Sequence, residues 1–430
     1  MLCIVLNKLT HISKGDLVEI QNFDHLPAGK SCIFKTTSSD LTALKEIAVK
    51  KPEYIDIDHT IPLSTLQAFQ EEVPDQKIIL SYHDFEKTPE DLQALYDNLR
   101  QKPATLYKIA TFANSSVDTL RLLELVYLSE QKLIGIPMGP LGSPGRVLGP
   151  VVGNPIDYAP ISEEEINAPG QIPMGILLNK YHYEKLSLTT KIYGLIGDPV
   201  AQSLGERVHN PLMEKLDLDG VYLSFKVDKE EIYPFLKYAM RLPFKGLSVT
   251  MPLKEMLGPE PVNTLIFWPN RLETENTDGK AMLTCLGDVN RKHVVIIGAG
   301  GAAKAIYKEL KKNGADITLL NRSVDKAKAI DPHAKSLSDV PEKYDILINC
   351  TPAPLPISAE KLIPHALVVD IKTTTPLPLL EEATKRGCRT LSGHAMYLEQ
   401  ALEQLKHWFP NSISPKQLRT TLEKELAVYS

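Results

Sequence analysis

Cysteine is scarce and scattered: Cys3, Cys32, Cys285, Cys350 and Cys388 are the only five in 430 residues, with no C-x-x-C and no Cys/His cluster. An odd, dispersed set suggests neither a disulfide framework nor a zinc site, and no metal is expected. No apolar run approaches the ~18 residues needed to cross a bilayer. The opening MLCIVL is followed at once by Asn7 and Lys8, which leaves too short an apolar core for a secretory signal. Neither sign of charge dominates: 48 Lys and Arg stand against 53 Asp and Glu, a net charge of −5. That balance gives no electrostatic reason to bind nucleic acid or an anionic membrane, although a local basic pocket remains compatible with an anionic substrate. The expectation is a cytoplasmic protein with reduced thiols that acts on small molecules.

Short apolar runs alternate with helical patterns along almost the whole chain, the signature of α/β architecture. At 430 residues, two or three domains are expected. In the first part, strands are expected at Cys3–Leu6, Leu17–Ile20, Cys32–Lys35, Tyr54–Ile57, Lys77–Ser81, Leu106–Ala110, Leu133–Ile136 and near Tyr158–Ile161, with helices over Leu41–Lys50, Thr88–Arg100 and Ser116–Leu128. Eight strands in series point to a (β/α)8 barrel. Its first two crossovers hold only about ten residues each, so those helices are expected to be lost or reduced to a turn. A polar stretch at 180–190 marks a boundary, and a second falls near Gly287–Lys292. The expected domains are 1–187, 190–285 and 286–395, with helices over 396–430 returning to the second.

The third domain opens with a dinucleotide fingerprint. An apolar strand from His293 leads into Gly298-Ala-Gly300-Gly301-Ala302-Ala303, and a helix-forming run follows. Gly298 suits the tight turn, Gly300 the close approach of a pyrophosphate, and Ala303 the packing of helix on strand. This is a Rossmann pattern. The second strand ends in Asn321-Arg322-Ser323, with Lys326 one turn on and no carboxylate for a ribose hydroxyl. An arginine there suits a 2′-phosphate, so NADP is expected rather than NAD.

Five further segments surround this pattern: Gly194 to Asn210, containing Ser203; Gly246-Leu-Ser-Val-Thr250-Met-Pro252-Leu-Lys254; Val262-Asn263-Thr264; Asn276-Thr277-Asp278-Gly279; and Gly393-His-Ala-Met396-Tyr-Leu-Glu-Gln400. Singly, each has a plain explanation: Lys254 as a surface lysine, Asp278 as a helix cap, Ser203 as a turn residue. Together, in this order, residues 191–430 resemble shikimate dehydrogenase. The resemblance implies a Lys254–Asp278 pair that handles the proton of the reacting hydroxyl, and Ser203, Asn263, Thr250 and Gln400 as substrate contacts. Gly298, Gly300, Gly301, Ala302, Asn321, Arg322, Ser323, Lys326 and Gly393 would contact the nucleotide. Three departures stand out. Gly205 replaces a second serine, at about 1–3 kcal/mol if a carboxylate loses a donor. Only eight residues separate Lys254 from Asn263. Asp370-Ile-Lys-Thr-Thr-Thr-Pro376 lacks the tyrosine expected after its aspartate.

In residues 1–187 the order Ser81-Tyr-His83-Asp, Tyr107-Lys108, Met138-Gly to Arg146 and Ala168-Pro-Gly-Gln171 resembles type I 3-dehydroquinate dehydratase. The resemblance implies a Schiff base on Lys108, His83 as general base, Arg146 clamping the substrate carboxylate, and Glu19 and Gln171 in the binding site. Gln21 stands where the family carries an arginine. The run Phe34 to Ser39 lacks an expected Arg and Glu, with Lys35 a candidate replacement. The two activities are consecutive, so the whole chain resembles a bifunctional dehydratase–dehydrogenase. Two alternatives stay open: a working dehydrogenase carrying a degenerate barrel, and a non-catalytic regulator that binds the metabolite or NADP. Quinate stays open beside shikimate as a substrate.

Overall fold

The computed structural model describes residues 2–5, 17–21, 30–130, 132–410 and 413–429. They form two compact units, residues 1–193 with 219–244, and residues 194–218 with 245–430.

The first unit holds an eight-stranded parallel sheet: β1 (Leu2–Val5), β2 (Leu17–Ile20), β3 (Ser31–Thr36), β4 (Tyr54–Asp58), β5 (Lys77–Asp84), β6 (Leu106–Phe112), β7 (Leu133–Met138) and β8 (Asp157–Pro160). Neighbours pair in chain order from β1 to β7, and β8 pairs with β1. The sheet therefore curls until β7 and β8 face each other. The Asn154 carboxamide bridges them: its oxygen accepts from the Gly135 N–H at 2.9 Å, and its nitrogen donates to the Ile156 carbonyl at 3.2 Å and to Asp157 at 2.6 Å. All eight expected strands are present, within a few residues at their ends. The expected losses of the first two crossover helices fall on residues 6–16 and 22–29, outside the described residues.

Local chemistry sets the helix ends. Asp40 caps Leu41–Val49 by accepting from the Ala43 N–H, and Ser115 caps Ser116–Leu128 by accepting from Asp118. The helix expected from Thr88 begins only at Leu92. Pro89 disfavours helical backbone at residue 88. The Thr88 hydroxyl instead donates to the Phe112 carbonyl, and Asp91 is the cap. A helix over Leu63–Glu72, not foreseen, fills the β4–β5 crossover.

Alternation along the strands builds the barrel interior. One face of the sheet packs Cys3, Leu17, Ile33, Ile79, Leu106, Ile134 and Ile156 into an apolar layer. Moving two residues along β2 to β6 keeps the face, and there the layer turns polar: Glu19, Lys35, Asp56, Ser81 and Lys108. The first unit also takes in β10 (Gly220–Lys226) and the helix Ile232–Ala239, where Phe225, Phe235 and Phe244 cluster with centroids 5.4–6.2 Å apart.

In the second unit β9 (Lys191–Gly197), β11 (Phe244–Val249), β12 (Thr264–Trp268) and β13 (Arg271–Glu275) follow one another in a sheet, the last three antiparallel. A parallel five-stranded sheet follows, in the order β15 (Asp316–Leu320), β14 (His293–Ile297), β16 (Ile346–Asn349), β17 (Leu367–Asp370), β18 (Arg389–Ser392). The order reverses at β14, the switch point of a Rossmann fold, where ligands bind beyond the strand ends. Apolar clusters cover both its faces. The long helix Gly393–Trp408 then returns to the antiparallel sheet, where the Trp408 indole donates to the Leu265 carbonyl at 3.1 Å. Gly246 is glycine because an added Cβ would stand 2.2 Å from that indole.

Candidate active sites

In the barrel, Lys108 on β6 is the centre of the polar layer. It is only 2% exposed, pairs with the fully buried Asp56 on β4, and lies 3.9 Å from a Glu19 oxygen on β2. Its Nζ stands 5.2 Å from the Tyr158 ring on β8. Burial alone would lower the Lys108 pKa, but Asp56 and Glu19 together reverse the sign and raise it. The resting side chain is therefore an ammonium. Burial raises Glu19, with Lys108 opposing.

His83 is on β5, two residues beyond Ser81, which is level with Lys108, so both point inward. Its ring stacks on Phe85 at 6.0 Å. Burial first, then the Lys108 and Lys35 charges, hold its pKa down at about 4. It is neutral at pH 7 and free to accept a proton. Arg146 follows β7 in the short helix Ser143–Val147 and is buried. Among the described residues no carboxylate lies within ion-pair distance of it, and its Nε has no hydrogen-bond partner. Burial pulls its pKa down to about 10. The Asp157 charge only partly offsets that burial, and a buried guanidinium with no carboxylate in contact is costly unless a ligand supplies one. Gln171 turns inward on its own loop, its carboxamide oxygen accepting from the Asn167 and Ala168 N–H groups at 3.0 and 3.2 Å. Asp56 and Tyr158 were missed in the sequence. Period-two counting along Tyr54-Ile-Asp-Ile-Asp would have flagged Asp56 as an inward-facing acid.

In the second unit, Lys254 sits in the turn after β11 and Asp278 opens the helix Asp278–Leu286. The two side chains pair, 19% and 6% exposed. Asp278 caps nothing: its second oxygen accepts from the Asn263 amide at 2.8 Å. Asn263 is saturated. Its Nδ2 also donates to the Thr277 hydroxyl at 2.9 Å, and its oxygen accepts from the Thr277 N–H at 2.9 Å and the Thr264 hydroxyl at 2.7 Å. Two donor hydrogens and two lone pairs are all a carboxamide has. Behind it, Gln404 donates to the Asn263 carbonyl at 3.0 Å and the Thr264 hydroxyl at 2.9 Å, and accepts from Ser248 at 3.0 Å. Gln404 was not singled out in the sequence; one more buried polar residue on a helix carries no local signal.

The other sequence-selected residues belong to the same unit. The Ser203 hydroxyl oxygen accepts from the Gly205 N–H at 3.1 Å, at the entry of the helix Gly205–Lys215. The Thr250 N–H bonds the Ile196 carbonyl at 3.0 Å, tying it to the end of β9. The Gln400 carbonyl accepts from the Thr277 hydroxyl at 3.2 Å.

The nucleotide turn fits a dinucleotide. Gly298 has φ +120°, a region L side chains avoid, and an added Cβ would press on Thr351 at 3.1 Å. Nothing lies within 4 Å of where a Gly300 Cβ would be. An added Cβ on Gly301 would stand 2.9 Å from the Lys254 Cβ, so the turn that carries Lys254 lies directly over the start of the nucleotide helix, with Ala302 and Ala303 behind. Asn321, whose Nδ2 donates to the Ser323 carbonyl at 2.8 Å, and the exposed Arg322 and Ser323 stand at the end of β15. Lys326 lines a cavity of about 270 Å³ with Ala299, Lys304 and Pro261. Gly393 lets the helix it opens approach the Ile371 and Lys372 carbonyls, 2.3 Å from where a Cβ would be.

The sequence matches three family models: type I 3-dehydroquinase over residues 14–187, shikimate dehydrogenase substrate binding domain over 195–259, and shikimate/quinate 5-dehydrogenase over 281–374. The shikimate biosynthesis protein AroDE of Chlamydia pneumoniae is 37% identical over 409 residues, covering 89% of this chain and 83% of that protein. The chloroplastic bifunctional 3-dehydroquinate dehydratase/shikimate dehydrogenase of Arabidopsis thaliana is 30% identical, covering 85% and 68%. Among solved structures, a shikimate dehydrogenase in complex with NADP+ aligns with TM-score 0.51 at 28% identity, over 56% of this chain and 97% of its own. A chorismate mutase/shikimate 5-dehydrogenase fusion from Clostridium acetobutylicum aligns equally well, also at 28% identity, over 56% and 99%. With a barrel built around Lys108 and a Lys254–Asp278 pair set over a nucleotide turn, the chain belongs to the family of bifunctional 3-dehydroquinate dehydratase/shikimate dehydrogenases.

Proposed function

We propose that residues 1–187 dehydrate 3-dehydroquinate to 3-dehydroshikimate, and that residues 190–285, 286–395 and the returning 396–430 reduce that product to shikimate with NADPH. The observation that carries the reading is the Lys254–Asp278 pair lying directly over the start of the nucleotide helix. Binding alone does not need that pair; a reduction that creates a hydroxyl does.

In the reductase, NADPH supplies the hydride when bound, with Gly298, Gly300, Gly301 and Ala302 along its pyrophosphate and Asn321, Arg322, Ser323 and Lys326 at its 2′-phosphate. Lys254 donates the proton to the alkoxide oxygen that the ketone becomes. Asp278 holds Lys254 in line, and Asn263 and Thr277 hold Asp278. Ser203, Thr250 and Gln400 orient the substrate. In the dehydratase, Lys108 attacks the ketone carbon and forms a Schiff base whose iminium acidifies the neighbouring carbon. His83 takes that proton and returns it to the hydroxyl one carbon further, which leaves as water. Arg146 receives the substrate carboxylate in a bidentate pair, and Glu19 and Gln171 line the site. The proposed compartment is the cytoplasm, in keeping with five cysteines that form no disulfide among the described residues. Among the described residues no helix is long and apolar enough to cross a membrane.

The test is NADPH oxidation by the intact chain, with 3-dehydroquinate in one cuvette and 3-dehydroshikimate in another. Oxidation in both is expected. Oxidation with 3-dehydroshikimate alone would mark the barrel as inactive, the outcome that Gln21 and the missing third-strand arginine and glutamate would produce. Silence in both would refute the assignment.

A further inference from the structure

The Schiff-base reading leaves a proton unaccounted for. Lys108 rests as an ammonium, which has no lone pair, and a nucleophilic amine requires that the proton go somewhere. Sending it to bulk water would strand the Asp56 carboxylate, wholly buried, without a counter-charge. Passing it across the existing contact to Asp56 changes no net charge in the interior. Glu19 is the other candidate, but it stands 3.9 Å away and is 13% exposed, whereas Asp56 touches Lys108 and is fully enclosed.

Asp56 uses one oxygen, Oδ2, for Lys108; its Oδ1 is buried and has no hydrogen-bond partner among the described residues. Buried acceptors are nearly always bonded, and exceptions call for an explanation. An acceptor beside the attacking nitrogen is placed for the hydroxyl created when that nitrogen adds to a ketone.

We propose that Asp56 is a catalytic residue of the dehydratase, which takes the proton of Lys108 and returns it to the departing hydroxyl. This rests on the Schiff-base role of Lys108. The ammonium gives a proton to Asp56, and the free amine forms an N–C bond to the ketone carbon. A nitrogen proton moves to the ketone oxygen, giving the carbinolamine. Protonated Asp56 then donates to that hydroxyl, the C–O bond breaks, and water leaves. The iminium and the Asp56 carboxylate remain as an ion pair, so the interior keeps the charge it started with. Product release runs the same steps backwards with one water consumed.

The experiment is rapid-quench borohydride trapping on the full chain, with 3-dehydroshikimate as ligand and the adduct read by intact mass. Asp56→Asn is expected to slow trapping at least 100-fold, within the range usual for general acid–base groups, while NADPH-dependent reduction by the second unit continues. A purely electrostatic role predicts the opposite, because a neutral neighbour lets Lys108 lose its proton more readily. Trapping within threefold of the parent therefore overturns the proposal. Asp56→Ala separates chemistry from folding: added formate is expected to restore trapping at least tenfold and formamide, of similar size, is not. Equal rescue by both, or rescue by neither, overturns it. No adduct in the parent protein would instead sink the Schiff base at Lys108.

Discussion

Replacing Asn263 by alanine tests how the reductase holds the Lys254–Asp278 pair. The substitution removes four side-chain hydrogen bonds. Two of the partners have other bonds: the Thr264 hydroxyl still accepts from Gln404, and the Thr277 hydroxyl still donates to the Gln400 carbonyl. Two do not. The Thr277 N–H and the second oxygen of Asp278 become buried and unsatisfied, at about 1–3 kcal/mol each. The sum is roughly 2–6 kcal/mol, toward the lower end if water enters the space. Both tryptophans, Trp268 and Trp408, lie in the second unit, so urea unfolding followed by their fluorescence reads that unit. With a slope of about 2 kcal/mol per molar urea, the midpoint should fall by ~1–3 M. Steady-state kinetics with 3-dehydroshikimate should show kcat reduced roughly 10–100-fold, since Asp278 keeps its ion pair with Lys254 but loses its anchor. KM should stay within a few-fold. A tenfold rise in KM at unchanged kcat would mean that Asn263 spends its amide on substrate. An unchanged midpoint would refute the hydrogen-bond count.

Four further outcomes follow from the geometry. Lys108→Ala should abolish borohydride trapping and also cost the first unit about 3–5 kcal/mol, because Asp56 is left as an unpaired buried charge; retained trapping would place the Schiff base elsewhere. Arg146→Lys, which keeps the charge but loses the bidentate fork, should raise the dehydratase KM by an order of magnitude or more with little effect on the reductase, and an unmoved KM would take the substrate carboxylate off this residue. Arg322→Ala should raise the KM for NADPH ~10–100-fold, the loss of one charged hydrogen bond, and leave NADH unaffected; equal losses for both nucleotides would contradict the 2′-phosphate assignment. His209, fully buried with its Nδ1 2.9 Å from the Gly205 carbonyl, is held by burial at about 4 against an ordinary 6.5. A depressed histidine contributes stability above its unfolded value and loses it as pH falls through the folded one, so the second unit should weaken by roughly 3 kcal/mol between pH 6.5 and 4. His209→Asn should flatten that limb in the same urea assay.

Much of this protein was legible before folding. Strand positions came from apolar runs bounded by turn residues. The nucleotide turn came from Gly298-x-Gly300-x-x-Ala303 between a strand and a helix. Both are local: the information lies within a window shorter than the element itself. The order of motifs also carried the pairing of two activities in one chain. What the tertiary structure decided is which side chains meet. Lys108 finds Asp56 across 52 residues because both face inward on parallel strands separated only by β5, and that register has no local trace. Asn263 reads in the sequence as a free polar contact for substrate. In the fold, Thr264, Thr277 and Asp278 fill its whole hydrogen-bonding capacity, and Gln404, 141 residues on, holds the backbone in place. Gln171 likewise turns its carboxamide oxygen to its own loop. Periodicity determines which face a residue occupies; only closure of the barrel, and the return of the last long helix, determine what it faces.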